Sequence, residues 1–143
     1  MIKQISVFLE NRVGQLSAIT GLLAQNGIDL RALNIAETSD YGILRVIPND
    51  PVKALSILKE SGFIASCTDV ASAAVPDEPG GLHRLLDILA RNSIDIEYMY
   101  SVFTMRENTA SMVFRVADPG TLEKLLGGAG IEVTDPASIG IVG

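Results

Sequence analysis

Residues 9–16 read LENRVGQL, and a related stretch, DEPGGL, occupies residues 77–82. The first stretch ends an alternating apolar run and opens a run of apolar residues at helical spacing, so it predicts a turn from a strand into a helix. The second stretch lies at the matching place in the second half of the chain. A turn that is used twice at equivalent positions serves either folding or ligand binding.

The two halves of the sequence resemble each other well beyond these turns. The pairs aligned by a shift of 66 positions include Gly14 and Gly80, Leu16 and Leu82, and Asn26 and Asn92. The offset grows to 70 at Arg45 and Arg115, which indicates a longer hairpin in the second copy. Two diverged copies of about seventy residues are therefore predicted, with domains at residues 1–70 and 71–143.

The predicted order of elements is β-α-β-β-α-β in each copy. In the first copy, strand residues 5–9 lead to a helix that Asn11 caps and Asn26-Gly27 ends. The other predicted elements of the first copy are strands 30–38, 41–47 and 63–70 and a helix from Asp50-Pro51 to Ser61-Gly62. The predicted elements of the second copy are strands 71–75, 94–104 and 110–117, helices 79–92 and 119–128, and a strand from Ile131 onward. This order predicts an α+β fold of two ferredoxin-like domains, each an antiparallel sheet with helices on one face.

Composition excludes several classes of function. The chain has 143 residues, with 17 acidic against 11 basic side chains and a net charge of −6, and without a basic cluster it is predicted not to bind nucleic acid. No apolar run approaches the length that spans a membrane, and the N-terminus lacks the pattern of a secretory signal, so we expect a cytoplasmic protein without membrane contact. The single Cys67 fits a reducing compartment, and we expect neither a metal nor a cofactor.

The turn at residues 11–16 also has the chemistry of an amino-acid site. The first turn of a helix exposes unpaired N–H groups that can hold a carboxylate, and we expect Gly14 and Gly80 in such first turns, where they let a ligand approach the backbone. Asn11 offers a donor and an acceptor, and Asp29 at the start of the next strand is expected to accept from an ammonium group. The alternative is structural, because Asn and Asp are good helix caps and Gly can simply allow close packing.

The run from Glu10 to Leu16, with residues 26–30 at the distance that the family uses, resembles the ACT domain. The resemblance covers nearly the whole chain and implies a free-standing tandem ACT protein, a non-catalytic regulator that binds an amino acid or similar small zwitterion at domain interfaces. A regulated metabolic enzyme is the expected partner. Exposed strand edges and sheet faces favour a homodimer, with a compact monomer as the alternative. Leu9, Val13 and Asp29 stand where serine-sensing members of the family have His, Pro and Asn.

The two turns and the residues after their helices supply the predicted ligand contacts. The predicted ligand-binding residues are Asn11, Arg12, Val13, Gly14, Gln15, Leu16 and Asp29 in the first copy, and Asp77, Glu78, Pro79, Gly80, Gly81, Leu82 and Asp95 in the second. Because Asp77 and Glu78 place two negative charges at the second turn, that turn is expected either to hold an ammonium group or to have lost its ligand.

Two other functions stay open from the sequence. A small enzyme such as an acyl-phosphate hydrolase would require an Arg and an Asn around an anion loop, and Arg12 and Asn11 are the residues available for that role. A structural partner subunit would bind no ligand at all. His83 has no second His, Cys or Ser placed to complete a catalytic or metal set, so we interpret it as a surface or pocket-wall residue.

Overall fold

The structure, a computed structural model, describes residues 1–10, 12–37 and 40–141. Within these residues the chain forms six β-strands and four α-helices. They are β1 (Ile2–Glu10), α1 (Gln15–Gln25), β2 (Leu30–Glu37), β3 (Tyr41–Pro48), α2 (Pro51–Glu60), β4 (Ala65–Pro76), α3 (Gly81–Arg91), β5 (Tyr98–Val102), β6 (Thr109–Arg115) and α4 (Pro119–Gly128). The predicted α+β class is confirmed.

The described residues divide into two compact units, which comprise chiefly residues 3–68 and residues 69–140. The division falls inside β4, which is one continuous strand where we predicted two successive strands, 63–70 and 71–75. No Gly, Pro or Asn lies between residues 63 and 75, so the strongest turn-forming residues are missing at the point where we predicted two strands to meet. The domain boundaries at residues 1–70 and 71–143 stay a prediction.

In the first unit, helices α1 and α2 pack on one face of an antiparallel sheet. Strand β1 pairs with β3, and β3 pairs with β2. The N–H group of Phe8 donates to the carbonyl of Ile64 at 2.9 Å. The buried core residues of this unit are Ile5, Val7, Leu9, Ile19, Leu23, Ile28, Leu44, Val46, Ala54 and Leu58. Burial of each large aliphatic side chain contributes roughly 1.5–3 kcal/mol, so this helix-facing layer holds the sheet and helices together.

The second unit repeats the arrangement with β4, β6 and β5 paired antiparallel and with α3 and α4. Its buried core residues are Ala71, Ala73, Val75, Leu85, Leu89, Phe114, Val116, Leu122 and Leu126. The strand predicted from Ile131 onward is wrong beyond a single bridge between Glu132 and Ala74. The chain turns instead into a short 3₁₀ helix, Pro136–Ile139, because Asp135 accepts the N–H of Ala137 at 3.2 Å and proline lacks the N–H that a strand ladder requires.

Helices α2 and α4 begin where the Asp-Pro pairs predict. Asp50 accepts the N–H of Lys53 at 3.1 Å, and Asp118 accepts the N–H of Thr121 at 3.1 Å. The hydroxyl of Thr121 also donates to Asp118 at 2.7 Å. The hydrogen bond from the Thr121 hydroxyl stabilises the ionised carboxylate most, and the bond from the Thr121 N–H adds to it. Together they lower the pKa of Asp118 below its ordinary value.

The predicted starts of the other two helices are too early. We expected α1 to follow a cap at Asn11, which lies outside the described residues, and α3 to begin near Pro79. The structure begins α1 at Gln15 and α3 at Gly81, with Gly14 and Gly80 at the N-cap positions. Gly14 and Gly80 therefore precede the first helical turns rather than lie within them.

Two absences concern the described part of the chain. No helix there has both the length and the apolar character needed to cross a membrane. The same residues contain no group of three His, Cys, Asp or Glu side chains arranged to hold a metal ion.

Candidate functional site

The two strand-to-helix turns share one backbone conformation. Gly14 has φ 85° and ψ −3°, and Gly80 has φ 87° and ψ −8°. Both residues are in the left-handed region, which glycine enters without the steric cost that a Cβ atom brings. The glycines are therefore required by the path of the chain, whatever else the turns do.

The same backbone hydrogen bonds also close both turns. They are Arg12 N–H to Glu10 O (2.8 Å) and Gln15 N–H to Arg12 O (3.4 Å) in the first turn, and Glu78 N–H to Pro76 O (2.9 Å) and Gly81 N–H to Glu78 O (3.1 Å) in the second. The repeated sequence is thus a repeated folding device. Whether it is also a binding device depends on the groups around it.

The start of α1 leaves backbone donors available. Gly14 has no side chain with which to cap the helix. Among the described residues, no acceptor is found for the N–H groups of Leu16 and Ser17. Unpaired N–H groups and the positive end of the helix dipole favour an anion at this position.

A cavity of about 490 Å³ lies beside this helix start in the first unit. Its lining includes Leu9, Gln15, Leu16, Ile35, Glu37 and Gly42, with Glu10, Arg12 and Val13 from the turn. The Oε1 atom of Gln15 is buried and has no hydrogen-bond partner among the described residues. A buried acceptor without a partner costs roughly 1–3 kcal/mol, so a ligand that donates to it would recover that cost.

Gln15 also lines a smaller cavity of about 250 Å³ at the same turn. Gly14, Ala18 and Phe63 are among its other lining residues. Space is therefore available at Gln15 in both cavities, and no described side chain of the first unit fills either of them.

Arg12 is well exposed, and a ligand can replace Glu10 as the partner of its guanidinium group. Its Nε atom lies 3.0 Å from the carboxylate of Glu10, and the two side chains are 69% and 60% exposed. Such exposed pairs contribute at most about 1 kcal/mol. A ligand carboxylate can displace Glu10 from Arg12 at little cost.

Asp29 is not brought to the first turn of its own unit. It follows the C-terminal end of α1, whose 11 residues extend about 16 Å, where its carboxylate accepts from Arg31 at 2.9 Å and its N–H donates to Asn49 at 2.9 Å. Asp95 occupies the matching exposed position after α3. Neither aspartate joins the turn residues into one site within its unit.

Glu37 is a residue that the sequence analysis missed. It ends β2 and lines the first cavity, so its carboxylate stands near the position where we expected Asp29 to accept an ammonium group. Antiparallel pairing of Glu37 with Gly42, and of Leu9 with Gly42, places the three residues in one row across the sheet. The sequence signal for Glu37 was its place near the end of the predicted strand 30–38.

The second turn is less acidic than its sequence suggests. The carboxylate of Glu78 lies 3.0 Å from the guanidinium of Arg84, one turn into α3. The N–H of Asp77 donates to the carbonyl of Asn108 at 3.0 Å. Asp77 is thus tied to the β5–β6 hairpin, and one of the two expected negative charges is compensated. Pro79, Gly80 and Leu82 are exposed.

A second cavity of about 490 Å³ lies beside this turn within the second unit. Gly81 lines it, but the polar groups around it come from Arg84, Arg106, Asn108 and Glu132, which the sequence analysis did not select. Arg106 and Asn108 belong to the connection between β5 and β6, the longer hairpin that the change in offset indicates. His83 is exposed and is not part of this lining.

Comparison with known proteins identifies the family. The chain matches a family model described as an ACT domain pair over residues 1–132. It is similar to the solved structure of protein BT0572 from Bacteroides thetaiotaomicron, at 38% identity and a TM-score of 0.89, covering 99% of this chain and 96% of that one.

Similarity in fold alone extends to the regulatory subunits of aspartate kinase from Thermus thermophilus and Thermus flavus. Both are 16% identical to this chain, with TM-scores of 0.64 and 0.60. The matches cover 89% and 90% of this chain and 91% and 92% of those chains. No curated protein matches the sequence. The family match over residues 1–132 confirms the predicted family, and the chain belongs to the ACT domain family as a pair of ACT domains.

Proposed function

We propose that this protein is a non-catalytic regulator that binds an amino acid or similar small zwitterion at the turn that follows β1. The bound ligand passes its signal through contacts within an oligomer or with a partner protein. The ACT pairs similar in fold include regulatory subunits of aspartate kinase, which supports a regulatory role rather than a catalytic one.

The observation that carries the proposal is the glycine-capped start of α1, which opens beside a cavity. The N–H groups of Leu16 and Ser17 have no acceptor among the described residues, and Gln15 and Leu16 line the cavity. A ligand carboxylate at the helix start would accept from these N–H groups and from Arg12. This arrangement needs no buried cationic side chain.

The other end of a zwitterion finds acceptors in the same place. The buried Oε1 of Gln15 and the carboxylates of Glu10 and Glu37 lie along the cavity, so an ammonium group would gain hydrogen bonds there. Leu9 and Ile35 supply the apolar part of the wall. The combination fits a small amino acid better than a simple anion.

Asp29 can join this site only from a different chain, because in its own unit it lies at the far end of α1. We therefore propose a homodimer in which ligand contacts come from more than one chain. The second turn, residues 77–82, and Asp95 remain part of the proposed ligand-binding set. A regulated metabolic enzyme is the proposed partner, and the proposed compartment is the cytoplasm, where the exposed Cys67 stays reduced.

Thermal-shift measurements with the twenty amino acids, followed by calorimetry, test the proposal. A ligand at a hundredfold excess over its Kd stabilises the folded protein by about 2.7 kcal/mol. Replacing Gln15 by Met keeps the length of the side chain and removes its amide, so Gln15→Met is expected to weaken binding. Ser56→Ala, an exposed change on α2, is the control and is expected to bind like the parent protein.

The proposal fails if no amino acid shifts the melting temperature or produces heat in calorimetry. A ligand that binds the parent, Gln15→Met and Ser56→Ala with equal affinity would show a different binding place. A stable complex with another protein that free amino acids neither strengthen nor weaken would favour the structural partner subunit instead.

A further inference from the structure

We propose that the cavity of the second unit is a separate site for a small aliphatic carboxylate, which Arg84 and Arg106 bind through their guanidinium groups. The proposal takes its general class of ligand from the proposed function. It assigns a second place in the chain and a different kind of recognition, by side chains instead of helix N–H groups.

The cavity has the size and lining of a small-molecule site. Its volume of about 490 Å³ lies within the range of roughly 300–1,000 Å³ typical of ligand pockets. Val75, Ile88, Ala129 and Ile131 supply apolar wall. A short aliphatic chain fits this wall, and a longer polar ligand would leave its polar atoms without partners there.

The charged groups of the lining favour an anion. Arg84 and Arg106 line the cavity with one carboxylate, that of Glu132. Glu78, which pairs with Arg84, lies outside this lining, so the lining itself holds one more positive than negative charge, in contrast to the net charge of −6 for the whole chain. A mono-anion that displaces Glu78 from Arg84 would meet two guanidinium groups here, although most of the surface repels it.

Both guanidinium groups can take a ligand without breaking a strong contact. Arg84 lies 3.0 Å from Glu78, and Arg106 lies 2.7 Å from Glu132, with all four side chains between 44% and 62% exposed. Exposed pairs of this kind contribute at most about 1 kcal/mol. A ligand carboxylate can therefore take the place of the glutamate on each guanidinium group.

Backbone contacts hold Arg106 over the cavity. The N–H of Asp77 donates to Asn108 at 3.0 Å, and the N–H of Met105 donates to Ser138 at 3.2 Å. These bonds fix the hairpin on both sides of Arg106. Asn108 has φ 56°, a left-handed conformation that Asn tolerates better than most residues, which lets the hairpin turn back into β6. The position of Arg106 is thus set by the fold.

The carboxylate of Glu132 is expected to discriminate between two kinds of small carboxylate ligand, 2-amino acids and 2-oxo acids. The backbone of Glu132 is anchored, because its carbonyl accepts the N–H of Ala74 at 2.8 Å. Once a ligand carboxylate occupies Arg106, the Glu132 carboxylate is left to pair with an ammonium group. A 2-amino acid supplies that group and a 2-oxo acid does not, so the amino acid is expected to bind more tightly.

Isothermal titration calorimetry with valine and with 2-oxoisovalerate tests the inference. Arg106→Gln and Arg84→Gln are each expected to weaken valine binding by about ten- to hundredfold, the range for a lost charged hydrogen bond. Arg91→Gln is the matched control, because Arg91 is an exposed arginine of α3 that pairs with Asp87 and does not line the cavity. Glu132→Gln is expected to weaken valine binding and to strengthen binding of 2-oxoisovalerate.

The outcomes separate this inference from the proposed function. Weakening by Arg106→Gln but not by Gln15→Met supports the second cavity, even when the turn after β1 binds nothing. Weakening by Gln15→Met alone, with both arginine variants like Arg91→Gln, overturns the second cavity and leaves the proposed function standing. Absence of binding by either probe at millimolar concentrations also overturns the second cavity. Melting curves without ligand verify that each variant is folded.

Discussion

Replacing Gly81 by Ala places a methyl group where the structure has no room for it. A Cβ atom at Gly81 would lie 2.1 Å from the carbonyl oxygen of Pro76 and 3.2 Å from its carbonyl carbon. The obstructing atoms belong to the backbone, so no side-chain rotation can relieve the contact. The turn between Pro76 and Gly81 has to move instead.

The size of the effect can be estimated from the first turn. The position equivalent to Gly81 is Gln15, which carries a full side chain, and its hydrogen bond to Arg12 is longer, at 3.4 Å against 3.1 Å between Gly81 and Glu78. A relaxed version of the turn therefore exists, and the change is expected to cost about 1–3 kcal/mol, the range for overpacking. For a unit of about seventy residues, this corresponds to a melting temperature lower by about 10 °C.

Gly21→Ala is the matched control in the interior of α1. A Cβ atom at Gly21 meets nothing within 4 Å, so the gain in helix propensity is expected to stabilise the protein by about 0.5–1 kcal/mol. Thermal and urea unfolding measure both variants, and hydrogen exchange at the amides of α3 shows whether the second unit is the one that opens. Equal stability of Gly81→Ala and the parent would refute the crowding argument.

Three further predictions concern other parts of the fold. Gly14→Ala and Gly80→Ala are each expected to cost about 1–2 kcal/mol in urea unfolding because of their positive φ, and equal stability would contradict that reasoning. Thr134 is 4% exposed and its Oγ1 has no partner among the described residues, so Thr134→Val is expected to raise the melting temperature; a decrease would indicate a bound water at the hydroxyl. The lowered pKa of Asp118 means that its ionised form stabilises the fold fully above the ordinary aspartate pKa of about 4, and this stabilisation is lost as the pH falls through the lowered value. Urea unfolding as a function of pH should show that acid-dependent loss in the parent and a smaller one in Asp118→Asn.

Local chemistry made part of the fold predictable. Helices α2 and α4 begin where expected, because an aspartate cap and a following proline act within four residues of each other. The starts of α1 and α3 were predicted too early, at a cap on Asn11 and near Pro79, since Asn favours the N-cap and Pro the first position of a helix. The deciding feature was the positive φ of Gly14 and Gly80, which a sequence shows only as a glycine.

The residues around the second cavity could not be predicted from local patterns. Arg106 and Glu132 are separated by 26 positions, and their contact depends on where the β5–β6 hairpin and the chain after α4 meet. In the first unit, Glu37 reaches the cavity through its register with Gly42 and not through any sequence spacing from the turn. In the sequence, the longer hairpin of the second copy and the acidic pair Asp77 and Glu78 were the signs that the two sites differ.

The crowding at Gly81 explains why the two copies offer different polar groups to a ligand. In the first unit the turn itself provides a side-chain amide, because Gln15 occupies the first helical position and lines the cavity. In the second unit the Pro76 carbonyl occupies the space that such a side chain would need, so Gly81 contributes no polar side chain. Polar contacts to a ligand there have to come from α3, the hairpin and the chain after α4, which is where Arg84, Arg106 and Glu132 are found. The difference in polar groups between the two cavities thus follows from the glycine at the first position of α3, where the first unit has Gln15.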